Sequence, residues 1–88
     1  MIDAEFRDEQ IESRLLEPLL APQQNVFRDM HDLEDVIAEV AIDLGMGTYN
    51  VMGRLQKMIE RSDKLPSSRK LLLVNWLYER RTANVRTT

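Results

Sequence analysis

The sequence predicts an all-α fold, built as a small bundle of about four helices. Apolar residues recur at helical spacing in four separate segments, and only three glycines and three prolines occur among 88 residues. The length and a hydrophobic fraction of 43% are typical of one globular domain with a single core. We therefore expect residues 1–83 to form one helical domain and residues 84–88 a flexible C-terminal tail.

The first predicted helix occupies the N-terminal segment, where Asp3 is a suitable N-cap. Pro18 is incompatible with a regular helix interior, so we expect this helix to end near Glu17. An apolar connector over residues 19–22 and a polar turn over residues 23–25 should follow. The apolar positions that define this helix are Phe6, Ile11, Leu15 and Leu16.

The second helix has the most regular apolar spacing in the chain. Asn25 is a good N-cap for it, and Gly45 stands where a left-handed residue commonly ends a helix. One stripe is apolar over about five turns: Val26, Met30, Leu33, Ile37, Val40 and Leu44. The opposite face contains a ribbon made only of acidic residues: Asp32, Asp35, Glu39 and Asp43.

Two further helices are predicted after the short turn at residues 45–47. Thr48 can cap the third helix, which should stop at the polar cluster of residues 62–64. The fourth helix should begin near Ser67 and end as the chain enters residues 82–88. Residues 71–78 are apolar on nearly every side, which predicts either the central helix of the bundle or half of an oligomer interface.

Charge is divided unevenly along the chain. Residues 1–44 contain three basic and twelve acidic residues, a net charge of −9, whereas residues 45–88 contain nine basic and three acidic residues, a net charge of +6. This asymmetry indicates a polyanionic partner for one half or head-to-tail self-association.

Several classes of protein are disfavoured by composition. No cysteine is present, which excludes disulfides, thiol nucleophiles and thiolate zinc sites. The acidic N-terminus does not resemble a secretory signal. The longest apolar run, residues 71–74, is far shorter than the ~20 residues that span a bilayer. We expect no membrane association and a cytoplasmic or virion-internal location.

Residues 36–58 resemble the helix-turn-helix motif of DNA-binding proteins, although no specific family is identified. In that motif a small residue permits close helix packing, a glycine takes the left-handed turn, and apolar residues fill the angle between the helices. Any two helices that meet at a glycine turn would match part of this pattern, so a plain helical hairpin is an equal alternative. The matching residues are Ala41, Leu44, Gly45, Met46, Val51 and Leu55.

The resemblance implies that the helix beginning at Thr48 contacts duplex DNA. Its early residues would meet base edges: Gly47, Thr48, Tyr49, Met52, Gly53 and Gln56. Neighbouring basic residues would contact phosphates: Arg54, Lys57, Arg61, Arg69 and Lys70, with Arg80 and Arg81. The predicted protein is a small non-enzymatic regulator or packaging-type factor, of the kind found in phages. It should be a homo-oligomer, because one such module offers few base contacts.

The alternative function is a helical adaptor, assembly or inhibitor protein. In that case the acidic ribbon of the second helix would dock on a basic protein surface. Trp76 and Tyr78, followed by Arg80 and Arg81, could instead form a stacking platform for nucleic acid, although a core position for Trp76 is favoured.

No catalytic residue, metal or cofactor is predicted. Glu34 and Asp35 follow His31 at helical spacing, but a solvated histidine on a helix face is the favoured interpretation. The serines lie beside helix ends with no base to activate them.

Overall fold

The computed structural model describes residues 4–20 and 30–86, and these ranges contain helices and no strand. The helical elements are α1 (Ala4–Ile11), a π-helical segment (Glu12–Leu16), α2 (Glu17–Leu20), α3 (Met30–Leu44), α4 (Thr48–Arg61) and α5 (Ser67–Arg86). The first three follow one another without a break, so the described chain forms four helical stretches. The predicted all-α bundle is confirmed.

The N-terminal stretch does not end at Pro18, and the predicted helix end near Glu17 is wrong. The backbone N–H of Glu17 donates to the carbonyl oxygen of Glu12, five residues back, which widens the helix into a π turn. The wider turn separates Pro18 from the carbonyl groups with which its ring would collide in a regular α-helix. Leu19, predicted to lie in a connector, is helical and buried. Asp3 and the predicted turn at residues 23–25 lie outside the described residues.

The turn between α3 and α4 follows the prediction at Gly45, which has a φ of 64°. The N–H of Met46 donates to the carbonyl oxygen of Ala41 at 2.9 Å. This hydrogen bond is typical of α-helices that end in a glycine with left-handed backbone angles. Gly47 occupies the N-cap position of α4 with an extended backbone, so Thr48 is the first helical residue and not the cap. Of the second helix's predicted features, Asn25 and Val26 lie outside the described residues.

Replacing Gly45 with alanine should destabilise the fold by about 1–2 kcal/mol, the cost of a left-handed conformation for a residue with a Cβ. No atom lies within 4 Å of the position that the new Cβ would take, so this cost is conformational and not steric. Urea denaturation followed by circular dichroism measures it. Gly45→Asn should lose less stability than Gly45→Ala, because asparagine tolerates the left-handed conformation better. Equal losses of stability in the two variants would contradict the explanation.

The central helix of the bundle is α4 and not the C-terminal helix. It contacts α1, the π-helical segment, α3 and α5. Four residues of its apolar face are buried, whereas among the described side chains of α5 only Leu73 and Leu77 are buried. Leu71 and Leu72 of α5 are 61% and 60% exposed. Of the two alternatives predicted for the C-terminal helix, the central position is therefore wrong, and the oligomer interface stays a prediction. The C-terminal helix α5 also continues to Arg86, past residue 84, where the predicted tail starts. The buried residues of α4 are Val51, Met52, Leu55 and Ile59.

Among the described residues, three ion pairs join helices that are distant in sequence. Arg54 of α4 binds Asp8 of α1 at 2.7 Å, and Arg14 binds Asp43 of α3 at 2.8 Å. Arg80 Nε of α5 lies 3.2 Å from a carboxylate oxygen of Glu34 in α3, without the alignment of a hydrogen bond. Two of these pairs connect the acidic half of the chain to the basic half, which partly neutralises the charge asymmetry within one molecule. Each partly exposed pair contributes about 0–1 kcal/mol to stability.

Candidate anion-binding cleft

A cleft of about 640 Å³ lies on the outward side of α4. Its walls come from α1, from the turn between α3 and α4, from α4 itself and from α5, so the fold brings four parts of the chain together there. This size is typical of sites that hold a small molecule or one group of a larger ligand. The lining residues are Arg7, Asp8, Gly45, Met46, Gly47, Tyr49, Asn50, Gly53, Arg54, Lys57, Met58, Arg61 and Arg81.

Five cationic side chains line the cleft, and Asp8 is the one carboxylate among the lining residues. Asp8 is bound to Arg54. The remaining four cations, Arg7, Lys57, Arg61 and Arg81, make no ion pair with any carboxylate in the described part of the chain. The lining therefore has a net charge of +4.

The cations of the cleft are distinguished by lying together on one concave surface, since other described cations without a carboxylate partner, Lys64, Arg69 and Lys70, lie outside it. Arg14 and Arg80 each meet a carboxylate on a neighbouring helix. Like charges gathered on one concave surface repel one another, and a bound anion would offset that repulsion. The arrangement of the cleft therefore suits an anionic ligand.

Gly53 allows a close approach between α4 and α5. A Cβ at this position would lie 2.8 Å from a terminal guanidinium nitrogen of Arg81, so the guanidinium rests directly on the glycine. The Nε atoms of Arg7 and of Arg81 are buried and donate to no acceptor among the described residues. Both side chains are half-buried and line the cleft.

Tyr49 and Asn50 add neutral polar groups at the first turn of α4. Tyr49 is 44% exposed and lines the cleft, so part of this residue is accessible to a ligand. Hydroxyl and amide groups commonly complement basic side chains in contacts with phosphate oxygens.

The structure brings seven of the residues predicted to contact DNA into the cleft: Gly47, Tyr49, Gly53, Arg54, Lys57, Arg61 and Arg81. Met52, predicted to meet bases, is 2% exposed and belongs to the core. Gln56 donates to the carboxylate of Glu60 at 3.2 Å and does not line the cleft. Thr48 is half-buried and likewise does not line it.

The two predicted phosphate-binding residues at the start of α5 lie elsewhere. Arg69 is exposed outside the cleft, and Lys70 Nζ is 3.4 Å from the carbonyl oxygen of Glu60, at the edge of a separate groove. In contrast, sequence reasoning missed Arg7 and Asp8. No local signal marks these two residues, because only the packing of α1 against α4 brings them to the cleft.

The acidic face of α3 remains a distinct surface. Asp35 and Glu39 are exposed, Asp32 is half-buried, and Asp43 is bound to Arg14. Ile42 lies beside Asp43 on this helix and is 79% exposed. Ile42 and the exposed carboxylates of α3 are therefore accessible to a partner protein.

The other predicted sites receive less support from geometry. The guanidinium of Arg80 lies over the ring of Trp76, 5.6 Å from its centroid, and also meets Glu34, so this pair is engaged within the molecule. Among the described residues, no three metal-binding side chains lie close enough to share an ion. None of the described helices combines the length and apolar character needed to cross a bilayer.

No family model, curated protein or solved structure matches the chain. The structure also does not identify α3 and α4 as a helix-turn-helix motif. Ala41, Leu44 and Val51 are buried as the motif requires, but the same burial is expected of any helical hairpin with a glycine turn. The resemblance therefore stays a prediction.

Proposed function

We propose that this protein is a small non-enzymatic DNA-binding protein whose cleft on the outward side of α4 contacts the phosphate backbone of duplex DNA. The observation that supports the proposal is the convergence on one concave surface of four cations that have no carboxylate partner among the described residues, Arg7, Lys57, Arg61 and Arg81. Neutralising backbone phosphates with such side chains releases counterions and supplies most of the affinity of sequence-independent binding.

The proposed binding mode discriminates little between base sequences. Of the side chains suited to base edges, Met52 is in the core and Gln56 is bonded to Glu60. The remaining cations are suited to phosphates, which position a protein on DNA without specifying sequence. This favours a packaging-type role over a sequence-specific regulator, and it does not depend on the helix-turn-helix resemblance.

Binding to random duplex DNA should weaken steeply as salt is raised. For four phosphate contacts, log K should fall with log[salt] with a slope of about −3.6, a loss of roughly 150-fold between about 50 and 200 mM. Fluorescence anisotropy on a labelled duplex measures this dependence. If the helical circular dichroism signal is intact and no binding occurs at low salt, the proposal is wrong.

A second candidate is the protein adaptor, which the exposed Ile42 and its acidic neighbours favour. On this alternative, charge reversal at Asp35 and Glu39 should abolish association with a basic partner or a second copy, as measured by light scattering. On the DNA-binding proposal, the same reversals should leave the affinity for duplex DNA unchanged or slightly higher, because they remove negative charge from the molecule.

The proposal also includes association of two or more copies of the protein. Leu71, Leu72 and Tyr78 expose apolar surface on α5, and none of them lines the cleft. Pairing through this surface would leave the clefts accessible and would double the number of phosphate contacts on one DNA molecule. Sedimentation equilibrium over a range of protein concentrations measures the oligomeric state.

A further inference from the structure

The cations of the cleft differ in how exposed they are. We call Lys57 and Arg61, which are exposed on the solvent side of α4, the rim, and the half-buried Arg7 and Arg81 the floor. Arg81 is half-buried, and its guanidinium rests on Gly53, where a Cβ would be 2.8 Å from the nearest nitrogen. Arg7 is also partly buried, and the buried Nε–H groups of both arginines donate to no described acceptor.

Neither guanidinium group pairs with a carboxylate among the described residues, so a phosphate group in the cleft would supply the missing partner. Guanidinium groups present a rigid planar fork, which matches the oxygens of a phosphate group and binds them through two parallel hydrogen bonds. Asp8 does not meet this need, because its carboxylate is bound to Arg54.

We infer that the floor of this cleft is a seat for a single phosphate group, with Arg7 and Arg81 as its main donors and with Gly53 as the residue that places Arg81. The inference rests on the proposed function and specifies which part of the ligand enters the cleft. The phosphate can come from within a DNA strand or from the end of one, since both present the same oxygens.

The role assigned to Gly53 leads to a test in which stability and binding change in opposite directions. Gly53→Ala places a methyl group where the end of the Arg81 side chain lies, and a flexible side chain can move aside while the helix backbone stays in place. Alanine is also the better helix former, so thermal stability should be equal or higher. Displacement of Arg81 should nevertheless lower the affinity for duplex DNA about tenfold, the value of one hydrogen bond to a charged group.

Asn75→Ala is the matched control. Asn75 is exposed on α5 and does not line the cleft, so alanine improves helix propensity there, as it does at residue 53, but displaces no cation of the cleft. Its affinity for DNA should stay within about twofold of the unmodified protein, since no charge-assisted hydrogen bond is removed. An equal loss of affinity in Gly53→Ala and Asn75→Ala would overturn the inference.

A double-mutant cycle separates the seat from general surface charge. Arg81→Gln should weaken binding at least as much as Gly53→Ala, and the double variant should be no weaker than Arg81→Gln alone, because both changes remove the same interaction. Additive losses would show that Gly53 acts independently of Arg81 and would overturn the inference.

The source of the phosphate is distinguished by duplexes that carry a 5′-phosphate or a 5′-hydroxyl. Equal affinities indicate a phosphate within the strand, and tighter binding of the phosphorylated duplex indicates a strand end. Both results support the seat when Gly53→Ala weakens binding.

Inorganic pyrophosphate tests the seat without DNA. It should shift the amide resonance of residue 53 in the unmodified protein and not in Gly53→Ala. If pyrophosphate binds in this way while DNA does not, the DNA-binding proposal fails and the seat stands. If DNA binds and Gly53→Ala behaves like Asn75→Ala, the seat fails and the DNA-binding proposal stands. If neither pyrophosphate nor DNA binds, both the seat and the DNA-binding proposal are wrong.

Discussion

Replacing Arg7, Lys57 and Arg61 together with glutamine should reduce binding to random duplex DNA by at least about 100-fold at roughly 50 mM salt. All three side chains line the cleft and make no ion pair within the described residues. Removing one phosphate-binding cation should also reduce the slope of log K against log[salt] by about 0.9, so the slope of the triple variant should be shallower by about 2.7. Anisotropy titrations at several salt concentrations measure both quantities.

The chain offers a control with the same change in net charge. Lys64, Arg69 and Lys70 lie outside the cleft, so their replacement with glutamine also removes three positive charges. If the cleft is the binding surface, this control should keep most of the affinity and the slope. If the two triple variants lose affinity equally, only the net charge matters and the cleft is not the site.

Neither triple variant should unfold the protein, which keeps the comparison interpretable. None of the six substituted side chains is buried, and changes at such positions usually alter stability by less than about 0.5 kcal/mol. Removing three cations from one cluster should, if anything, relieve repulsion in the unliganded protein. Thermal unfolding curves of both variants check this expectation.

The largest expected effect on stability is that of Leu55→Ala. Leu55 is fully buried in the middle of α4, the helix that contacts the other three helical stretches. Truncating a buried leucine removes its transfer free energy and leaves a cavity, at a cost of about 2–5 kcal/mol. For a domain of this size the midpoint of thermal unfolding should fall by roughly 10–30 °C. Urea denaturation measures the free energy directly.

Leu72→Ala is the matched control, because it makes the same substitution at a position that is 60% exposed. For a monomer its effect should stay within about 0.5 kcal/mol. A larger loss that grows with protein concentration would identify the exposed face of α5 as an interface between copies. A loss equal to that of Leu55→Ala at every concentration would contradict the assignment of α4 as the central helix.

Some elements could be predicted because their signals are local. The bounds of α4 follow from the glycine turn before Thr48 and the polar cluster after Arg61. The left-handed turn at Gly45 follows from the end of one apolar stripe. The continuation of the first helix through Pro18 could not be predicted, because it depends on a π turn that buries Leu15 and Leu16.

The role of the C-terminal helix could not be predicted, for a related reason. A helix that is apolar on nearly all sides gives no periodicity from which a buried face can be chosen. Packing against α4 selects the side with Leu73 and Leu77 and leaves Leu71 and Leu72 exposed.

The sequence by itself determined the all-α class, the glycine turn and the division of charge between the two halves. Capping, turn chemistry and apolar spacing act over a few residues, so they can be recognised along the chain. Only the tertiary structure decided which cations of the described chain are neutralised and which converge on the cleft without a carboxylate partner there. Arg54 and Asp8 are 46 residues apart, and Arg14 and Asp43 are 29 apart. Such pairs exist only because the burial of the apolar faces brings distant helices together.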